Sequence, residues 1–234
     1  MGETRRLRGA VIGLGNVAVH GHLPGWRARR DSVIVAATDA SPARQAECRT
    51  GLPDARWHDS VDSLLAARDL DFIDICTPPS SHAALIDAAL ARGLHVLCEK
   101  PLVASLAELE RLAGLARAAR AVLHTVHNWH QAPLVRATDA LIREGRIGAV
   151  REVVWRTLRT QPAAAAAGDG WRVDPAIAGG GVLTDHGWHV SYVIPRWVGV
   201  PPDAVSARLE TRRHHRFAVE DTATVRLQFP DAVA

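Results

Sequence analysis

The feature that most limits the fold of this chain is a short glycine motif. Residues 13–18 read Gly-Leu-Gly-Asn-Val-Ala, the pattern G-x-G-x-x-A, directly after an apolar run. The first glycine allows a tight turn, the second lets a pyrophosphate approach the backbone, and the small last residue lets helix and strand pack closely. An ordinary glycine turn has the same letters, so the flanking sequence must distinguish the two. As a dinucleotide-binding turn, the motif uses Gly13, Gly15, Asn16, Val17 and Ala18.

The residues around the motif alternate between short β-branched runs and helical stretches of alanine and leucine. This alternation is typical of a parallel sheet whose crossover helices cover both faces. Two of the helices are predicted over Ser81–Arg92 and Leu106–Ala119. The predicted strands are Ala10–Gly13, Val33–Thr38, Phe72–Cys76, His95–Cys98 and Val122–Val126. We therefore expect an α/β fold in which residues 1–127 form a doubly wound, Rossmann-type dinucleotide-binding domain.

The second half of the chain has a different pattern, because its strand-like runs are not separated by regular crossover helices. Helices are expected over Pro133–Glu144 and from the glycines at 179–181 to about Val198, with an alanine-rich loop at Gln161–Gly170. Strands without crossovers pair most readily as antiparallel neighbours. We expect an α+β substrate and oligomerisation domain over 128–234, with a mostly antiparallel open sheet that is incomplete. Its predicted strands are Val150–Leu158, Ala204–Glu210 and Thr222–Phe229.

An acidic residue, Asp39, follows the second predicted strand. A carboxylate at this position can accept hydrogen bonds from the ribose hydroxyls and repels a 2′-phosphate, which favours NAD over NADP. Two other interpretations, one of the role of Asp39 and one of the cofactor, stay open. Asp39 could simply cap the helical segment that starts at Pro42, and Arg44 is near enough to tolerate a phosphate.

Composition excludes several classes of partner. The 28 basic residues are scattered among 25 acidic ones, and no basic run is interleaved with aromatics, so we expect no nucleic-acid partner. No apolar run approaches the roughly 20 residues that span a bilayer, so we expect no membrane span. The three cysteines, Cys48, Cys76 and Cys98, are odd in number and lack CxxC spacing. They are typical of reduced thiols, and we expect a cytoplasmic protein.

Three further segments, together with the glycine motif, carry a family resemblance. Residues 76–82 read Cys-Thr-Pro-Pro-Ser-Ser-His, residues 98–102 read Cys-Glu-Lys-Pro-Leu, and residues 179–189 read Gly-Gly-Gly-Val-Leu-Thr-Asp-His-Gly-Trp-His. In this order the chain resembles the glucose–fructose oxidoreductase and inositol dehydrogenase family (Gfo/Idh/MocA). The resemblance implies an NAD(P)-dependent dehydrogenase that acts on the hydroxyl of a sugar, cyclitol or related polyol. It also implies a homo-oligomer that pairs through the sheet of the second domain, part of which is absent here.

The resemblance assigns roles to matching positions. Lys100, Asp185 and His189 match the family's catalytic residues. The cofactor pocket would add Thr77, Pro78, Pro79, His82, Glu99 and Lys100 to the glycine motif and Asp39. The substrate would meet Lys100, Asn128, Trp171, Arg172, Asp185, His186 and His189. The segment 127–130, His-Asn-Trp-His, departs from the family, in which an arginine-containing stretch commonly follows the asparagine.

The chemistry of alcohol oxidation agrees with these residue types. A hydride leaves to the nicotinamide and a proton leaves the hydroxyl, and histidine has the most suitable pKa to take that proton. The ammonium of Lys100, the only lysine in the chain, would stabilise the developing alkoxide, and the carboxylate of Asp185 would orient the alcohol or the imidazole. Without the resemblance, Lys100 could equally be a solvated residue at the end of a strand. Asp185 and His189 could equally form a pair on a helix surface.

Two HxxH spacings, His127 with His130 and His186 with His189, raise the question of a metal. No cysteine or consistent carboxylate set accompanies them, so we expect none. Two alternative functions stay open on the sequence. The same residues can support glycoside cleavage by transient oxidation with NAD regenerated, and a nucleotide-binding regulatory protein without turnover would show the same cofactor motifs.

Overall fold

The structure is a computed structural model that describes residues 5–159 and 170–230. The chain divides into two compact units, Met1–Val126 and His127–Ala234. Most of the predicted loop at Gln161–Gly170 lies outside the described residues. Within the described part of the chain, none of the helices combines the length and apolarity needed to cross a membrane.

The first unit is built on a parallel sheet of six strands in the order β3-β2-β1-β4-β5-β6. This is the doubly wound Rossmann order, and it confirms the predicted fold class. Strand β3 was not predicted, because a two-residue strand shows no pattern in sequence. The strands are β1 Leu7–Ile12, β2 Ser32–Thr38, β3 Arg56–Trp57, β4 Phe72–Ile75, β5 His95–Cys98 and β6 Leu123–Thr125.

Helices connect these strands, and two of them begin at local sequence signals. The Ser60 hydroxyl accepts the N–H of Ser63, and the Ser105 hydroxyl accepts that of Glu108, as N-terminal caps do. A π-helical turn at Ala18–His22 runs directly into the first α-helix. The helices are α1 Leu23–Ala28, α2 Gln45–Gly51, α3 Val61–Leu65, α4 His82–Leu90 and α5 Leu106–Ala118, with 3-10 turns at Pro42–Arg44 and Pro79–Ser81.

The sheet separates two apolar clusters. Alternate residues of β1 enter different clusters, since Ala10 and Ile12 pack with α3, α4 and α5, whereas Val11 packs with α1 and α2. Strand β4 is buried along its whole length, and one of its four buried residues is the aspartate Asp74. A carboxylate at 0% exposure inside a central strand requires partners.

The second unit contains helices α6 Pro133–Arg143, α7 Pro175–Ala178 and α8 Trp188–Val198. A π-helical turn at Leu183–Gly187 leads into α8, and 3-10 turns lie at Asn128–Gln131 and Gly170–Val173. Strands β7 Ala204–Glu210 and β8 Thr222–Gln228 pair antiparallel, with Ala204 opposite Gln228. The antiparallel character predicted for this half is confirmed.

Two details of the second unit correct the sequence prediction. The strand expected over Val150–Leu158 does not form, since this segment has only an isolated bridge at Glu152 within the described structure. Its alternation has another cause, because Val153 and Trp155 pack against the apolar cluster of Ile194. The glycines at 179–181 do not open the helix. Gly179 ends α7 in the left-handed conformation, and the next helical turn starts at residue 183.

Candidate active site

The glycine motif lies at the carboxyl end of β1, between β2 and β4, where the strand order reverses. This switch point is where open α/β sheets bind their ligands. Gly13 has a φ of +93°, and a Cβ there would lie 2.9 Å from the backbone of Cys76, so the fold itself requires glycine. A Cβ at Gly15 would meet no described atom within 4 Å. Gly15 therefore leaves open space above the loop, as close approach of a pyrophosphate requires.

Asp39 is joined to the glycine loop. One of its carboxylate oxygens accepts the N–H of Leu14 at 2.6 Å, and the other accepts the N–H of Ser41 at 2.7 Å. The contact with Ser41 is a local turn and not the helix cap that the sequence left open, because the N-cap of the 3-10 turn at Pro42–Arg44 is Ser41 and no side chain caps it. The contact with Leu14 adds a second role, because it holds the glycine loop against the end of β2. The two contacts place the carboxylate at the carboxyl edge of the sheet, on the side of β2.

The loop after β4 contains the predicted cofactor residues Thr77, Pro78 and Pro79. The hydroxyls of Thr77 and Ser81 lie 2.7 Å apart, and the Ser81 hydroxyl also donates to the carbonyl of Pro78 at 2.8 Å. His82 is fully buried, with its ring nitrogens 2.8 Å from the carbonyl oxygens of Thr77 and Pro101. The side chain of His82 therefore ties this loop to the one after β5. A direct contact with a dinucleotide would require His82 to leave that position.

A buried network of charged side chains lies under the ends of β4 and β5. His22 Nδ1 lies 2.9 and 3.0 Å from the two carboxylate oxygens of Asp74, and His22 Nε2 lies 3.0 Å from a carboxylate oxygen of Glu99. The indole N–H of Trp26 donates to Asp74 at 2.6 Å. The other carboxylate oxygen of Glu99 accepts the backbone N–H of Lys100 at 3.0 Å. The predicted cofactor residue Glu99 thus uses both oxygens within the protein.

The electrostatics of this network favour a protonated histidine. Burial opposes a charge on His22, but hydrogen bonds with Asp74, Cys76 and Glu99 outweigh it and raise the pKa of His22 to about 12. Burial alone would raise the pKa of Glu99, yet its bonds to His22 and to the Lys100 amide lower it. The arrangement is an imidazolium held between two carboxylates, which gives each buried charge a partner.

His22, Asp74 and Cys76 also have the residue types and spacing of a metal site, since their ligand atoms all lie within 4.8 Å of one another. A metal needs the thiolate and an unprotonated imidazole nitrogen. Both nitrogens of His22 face carboxylates, and the Cys76 sulfur lies 3.3 Å from His22 Nδ1 and 3.6 Å from a carboxylate oxygen of Asp74, so the three side chains already bind one another. We therefore interpret this cluster as a hydrogen-bond network.

In the second unit, the helical segment that carries Asp185 and His189 is anchored by Glu220. The Glu220 carboxylate accepts the N–H groups of Gly181 and Leu183, each at 2.9 Å, and its carbonyl accepts that of Val182 at 3.1 Å. A carboxylate at a helix N-terminus satisfies donors that the helix cannot and opposes its dipole. A Cβ at Gly181 would lie 2.1 Å from the Glu220 carbonyl oxygen, so glycine is required there.

His189 is 7% exposed and lies among aromatic rings. Its ring stacks on Trp129 with centroids 4.4 Å apart and planes 8° apart, and Trp155 stacks on the other side of this pair, 5.3 Å from Trp129. Its Nδ1 lies 2.9 Å from the hydroxyl of Tyr192, which also accepts the backbone N–H of Trp129 at 3.2 Å. The ring of His189 is therefore fixed both in plane and in rotation.

The remaining predicted substrate residues also belong to the second unit. Asn128 is exposed at the start of a 3-10 turn. Arg172 lies over the ring of Trp171, 4.3 Å from its centroid, and His186 Nε2 lies 3.8 Å from a carboxylate oxygen of Asp185. The structure thus gathers the predicted cofactor residues in the first unit, and the predicted substrate residues other than Lys100 in the second.

Sequence analysis missed three residues that hold these groups. Tyr192, the only tyrosine, stands three residues after His189 on a predicted helix, and this spacing could have identified it. Glu220 gives no local signal, since its partners Gly181 and Leu183 lie 39 and 37 residues earlier. His22 gives no signal in sequence, since its partners Asp74 and Glu99 are 52 and 77 residues away.

Comparison with family models gives two matches. A model of the GFO/IDH/MocA oxidoreductase family, described as an NAD-binding Rossmann fold, matches residues 7–127. A model of the GFO/IDH/MocA C-terminal domain matches residues 135–234. Together they cover most of the chain and both of its units.

Individual relatives agree with the family models. D-xylose 1-dehydrogenase (NADP(+)) 2 of Haloferax volcanii is 30% identical over 86% of this chain. The dTDP-3,4-didehydro-2,6-dideoxy-alpha-D-glucose 3-reductase of Streptomyces antibioticus is 33% identical over 97% of it. The crystal structure of GenD2 from gentamicin A biosynthesis, in complex with NAD, superposes with a TM-score of 0.85 at 28% identity, covering 100% of this chain and 65% of that one. The chain spans 60% of the xylose dehydrogenase and 67% of the reductase, and only 38% of a D-apiose dehydrogenase of Paraburkholderia graminis.

Proposed function

Because the chain belongs to the GFO/IDH/MocA family of oxidoreductases, we propose that it is an NAD-dependent dehydrogenase. Its substrate is a sugar, cyclitol or related polyol, and a hydroxyl of that substrate is oxidised or the corresponding carbonyl reduced. The names of two relatives, a xylose dehydrogenase and a deoxysugar reductase, support this substrate class. One relative is named as a dehydrogenase and the other as a reductase, so the proposal covers both oxidation and reduction.

The observation that carries the proposal is the glycine loop at the switch point of the sheet. Gly15 has open space where a Cβ would stand, and the Leu14 amide beside it is held by Asp39. A dinucleotide needs this combination, because its pyrophosphate must touch the backbone and its adenosine ribose must find an acceptor at the end of β2. Relatives include an NADP-dependent enzyme by name and a structure with bound NAD. The carboxylate of Asp39 supports NAD, because it would repel a 2′-phosphate.

The proposed reaction divides between cofactor and protein in the usual way. NAD, when bound by the glycine loop, would supply the acceptor or donor of the hydride. Lys100 directs positive charge at the substrate oxygen and stabilises the charge that develops as the hydroxyl loses its proton. His189 accepts that proton in oxidation and returns it in reduction, and Asp185 orients the hydroxyl. Because Tyr192 and Trp129 hold the His189 ring, proton transfer needs no reorganisation of the base.

The test is a panel of sugars, sugar alcohols and cyclitols, each incubated with NAD or NADP while reduced nicotinamide is followed by absorbance. Accumulation of NADH with at least one polyol, faster than with NADP, is the expected result. Release of an aglycone from a glycoside without net NADH would identify the glycosidase alternative instead. Tight NAD binding with no turnover on any member of the panel would favour a nucleotide-binding regulatory protein.

A further inference from the structure

We propose that His22 is the positioning residue for Lys100, acting through Glu99. The inference rests on the proposed function for the role of Lys100, but the geometry on which it stands lies wholly within the first unit. His22 connects two adjacent strands of the sheet, because Asp74 belongs to β4 and Glu99 follows β5 directly. Glu99 in turn holds the backbone of Lys100.

The first step is that His22 is fully engaged. Nδ1 faces Asp74 and Nε2 faces Glu99, each about 3 Å away, and the side chain is only 10% exposed. An imidazole with a carboxylate at each nitrogen is bound as imidazolium, because only then do both nitrogens donate. The ring therefore acts as a charged brace between the ends of β4 and β5.

The second step is that the brace fixes Glu99 in a single arrangement. Glu99 is 8% exposed, and a buried carboxylate without a cation would take up a proton or move toward solvent. His22 holds one of its oxygens, so the other stays directed at the Lys100 amide, 3.0 Å away. Without that bond the peptide at the end of β5 is no longer fixed, and the direction in which the Lys100 side chain leaves the strand changes.

The third step is that packing alone does not explain the arrangement, because burying charged side chains costs free energy. Strand β4 is otherwise apolar, and an apolar residue at position 74 would pack there without buried charges. Buried charge networks rarely improve on well-packed apolar residues in stability, so their value is commonly positional. Here the network ends at the residue that the proposed mechanism uses as its cation.

The experiment uses the single lysine of the chain as its own reporter. Reductive methylation with 13C-formaldehyde labels Lys100 and the terminal amine, so NMR shows one side-chain dimethylamine resonance. The resonance is followed in the wild type, in His22→Gln, and in Glu99→Gln, which keeps the shape but removes the charge. His20→Gln is the matched control, because His20 is an exposed histidine on the same turn. Circular dichroism and thermal melting establish that each variant is folded.

We expect the chemical shift of the Lys100 resonance to change in both His22→Gln and Glu99→Gln and to coincide with the wild type in His20→Gln. With an active substrate, kcat should fall about 10- to 100-fold in His22→Gln, the scale for a misplaced reacting group, while KM for NAD changes little. An unchanged Lys100 resonance in folded His22→Gln protein overturns the proposal, and if His22→Gln does not fold, Glu99→Gln decides in the same way. About one bound zinc per chain that is lost in His22→Gln would also overturn it, since the cluster would then be a metal site. The NMR measurement does not depend on turnover. The inference about His22 can therefore fail while the proposed function holds, and the proposed function can fail while the inference about His22 holds.

Discussion

The hydroxyl of Tyr192 lies 2.9 Å from Nδ1 of His189, one turn earlier on the same helix. The partner of one imidazole nitrogen determines the tautomer and orientation of the ring, and so what the other nitrogen can do. For Nε2 to take up a proton, Nδ1 must already carry one, so the neutral Tyr192 hydroxyl would accept from Nδ1 both before and after the transfer. Tyr192 can therefore hold His189 in both states of a proton-transfer cycle without adding charge.

Replacing Tyr192 with Phe tests this relationship. The variant keeps the ring, which packs edge-on against His127 and His130 with centroids 4.4 and 4.6 Å away, and removes only the hydroxyl. We expect kcat/KM for the polyol to fall roughly tenfold, the scale of one hydrogen bond to a group that becomes charged, with NAD affinity unchanged. The measurement is steady-state kinetics across pH. A rate and pH profile identical to the wild type would show that the hydroxyl has no part in catalysis.

Gly15→Val should abolish NAD binding and leave the fold intact. The branched side chain meets no described atom of the protein within 4 Å of its Cβ but fills the space that the pyrophosphate must enter. Isothermal titration with NAD measures the loss, and the melting temperature verifies the fold. Gly114→Ala, on helix α5, is the control glycine and should bind normally. Normal NAD affinity in folded Gly15→Val protein would place the cofactor elsewhere.

Asp39→Ser should narrow the preference for NAD over NADP by roughly 1–3 kcal/mol, the scale of a carboxylate's hydrogen bonds to a hydroxyl. Part of the change should come from weaker NAD binding, because Asp39 also holds the Leu14 amide of the glycine loop. Dissociation constants for both cofactors, compared with those of Asp62→Ser on helix α3, measure the effect. A wild type that already prefers NADP would refute the role given to Asp39.

Lys100→Arg and Lys100→Met should each lose turnover by about 10²-fold or more, the range for an electrostatic stabiliser or an acid–base group. Arginine keeps the charge, but it is larger, planar and effectively never deprotonated, so it should not substitute. NAD affinity should change little in either variant. The comparison is made at saturating NAD with the best substrate of the panel. Near-normal turnover in Lys100→Met would remove Lys100 from the mechanism.

His22 should keep its proton through neutral pH. A raised pKa means that its contribution to stability is complete below about 6.5, the value in the unfolded chain, and declines as the pH rises toward about 12. Between about pH 7 and 8, the free energy of unfolding should therefore fall by about 1.4 kcal/mol for each unit by which the pH rises, because His22 releases one proton when the chain unfolds. Urea unfolding at several pH values measures this slope. By NMR, the ring of His22 should show no titration through the neutral range, and a neutral-range titration of His22 would contradict the assignment.

The parts of the fold that sequence could predict are those specified by neighbouring residues. The turn at Gly13 forms as expected, and the helix caps at Ser60 and Ser105 likewise depend only on residues within a few positions. Alternation over Val150–Leu158 failed as a strand signal, because a strand also needs a partner, and these side chains alternate for a different reason.

The same distinction between local and long-range contacts applies to the candidate site. Motifs identified Gly15, Asp39 and Lys100, whose side chains or backbone would meet ligands directly. They did not identify His22, which binds Glu99, or Glu220, which anchors residues 181–183. The partners of both are tens of residues away in sequence. Long-range contacts of this kind leave no periodic pattern, so only the three-dimensional structure reveals them.

The anchoring of residues 181–183 by Glu220 has a consequence for the order of events during synthesis. The segment of Asp185 and His189 leaves the ribosome before its anchor, which lies 37 to 39 residues further along the chain. The first unit is compact in itself, and such a unit can fold while translation continues. The nascent chain therefore contains the whole glycine loop before it contains the anchor of the segment with Asp185 and His189, and that segment can settle only after Glu220 has emerged.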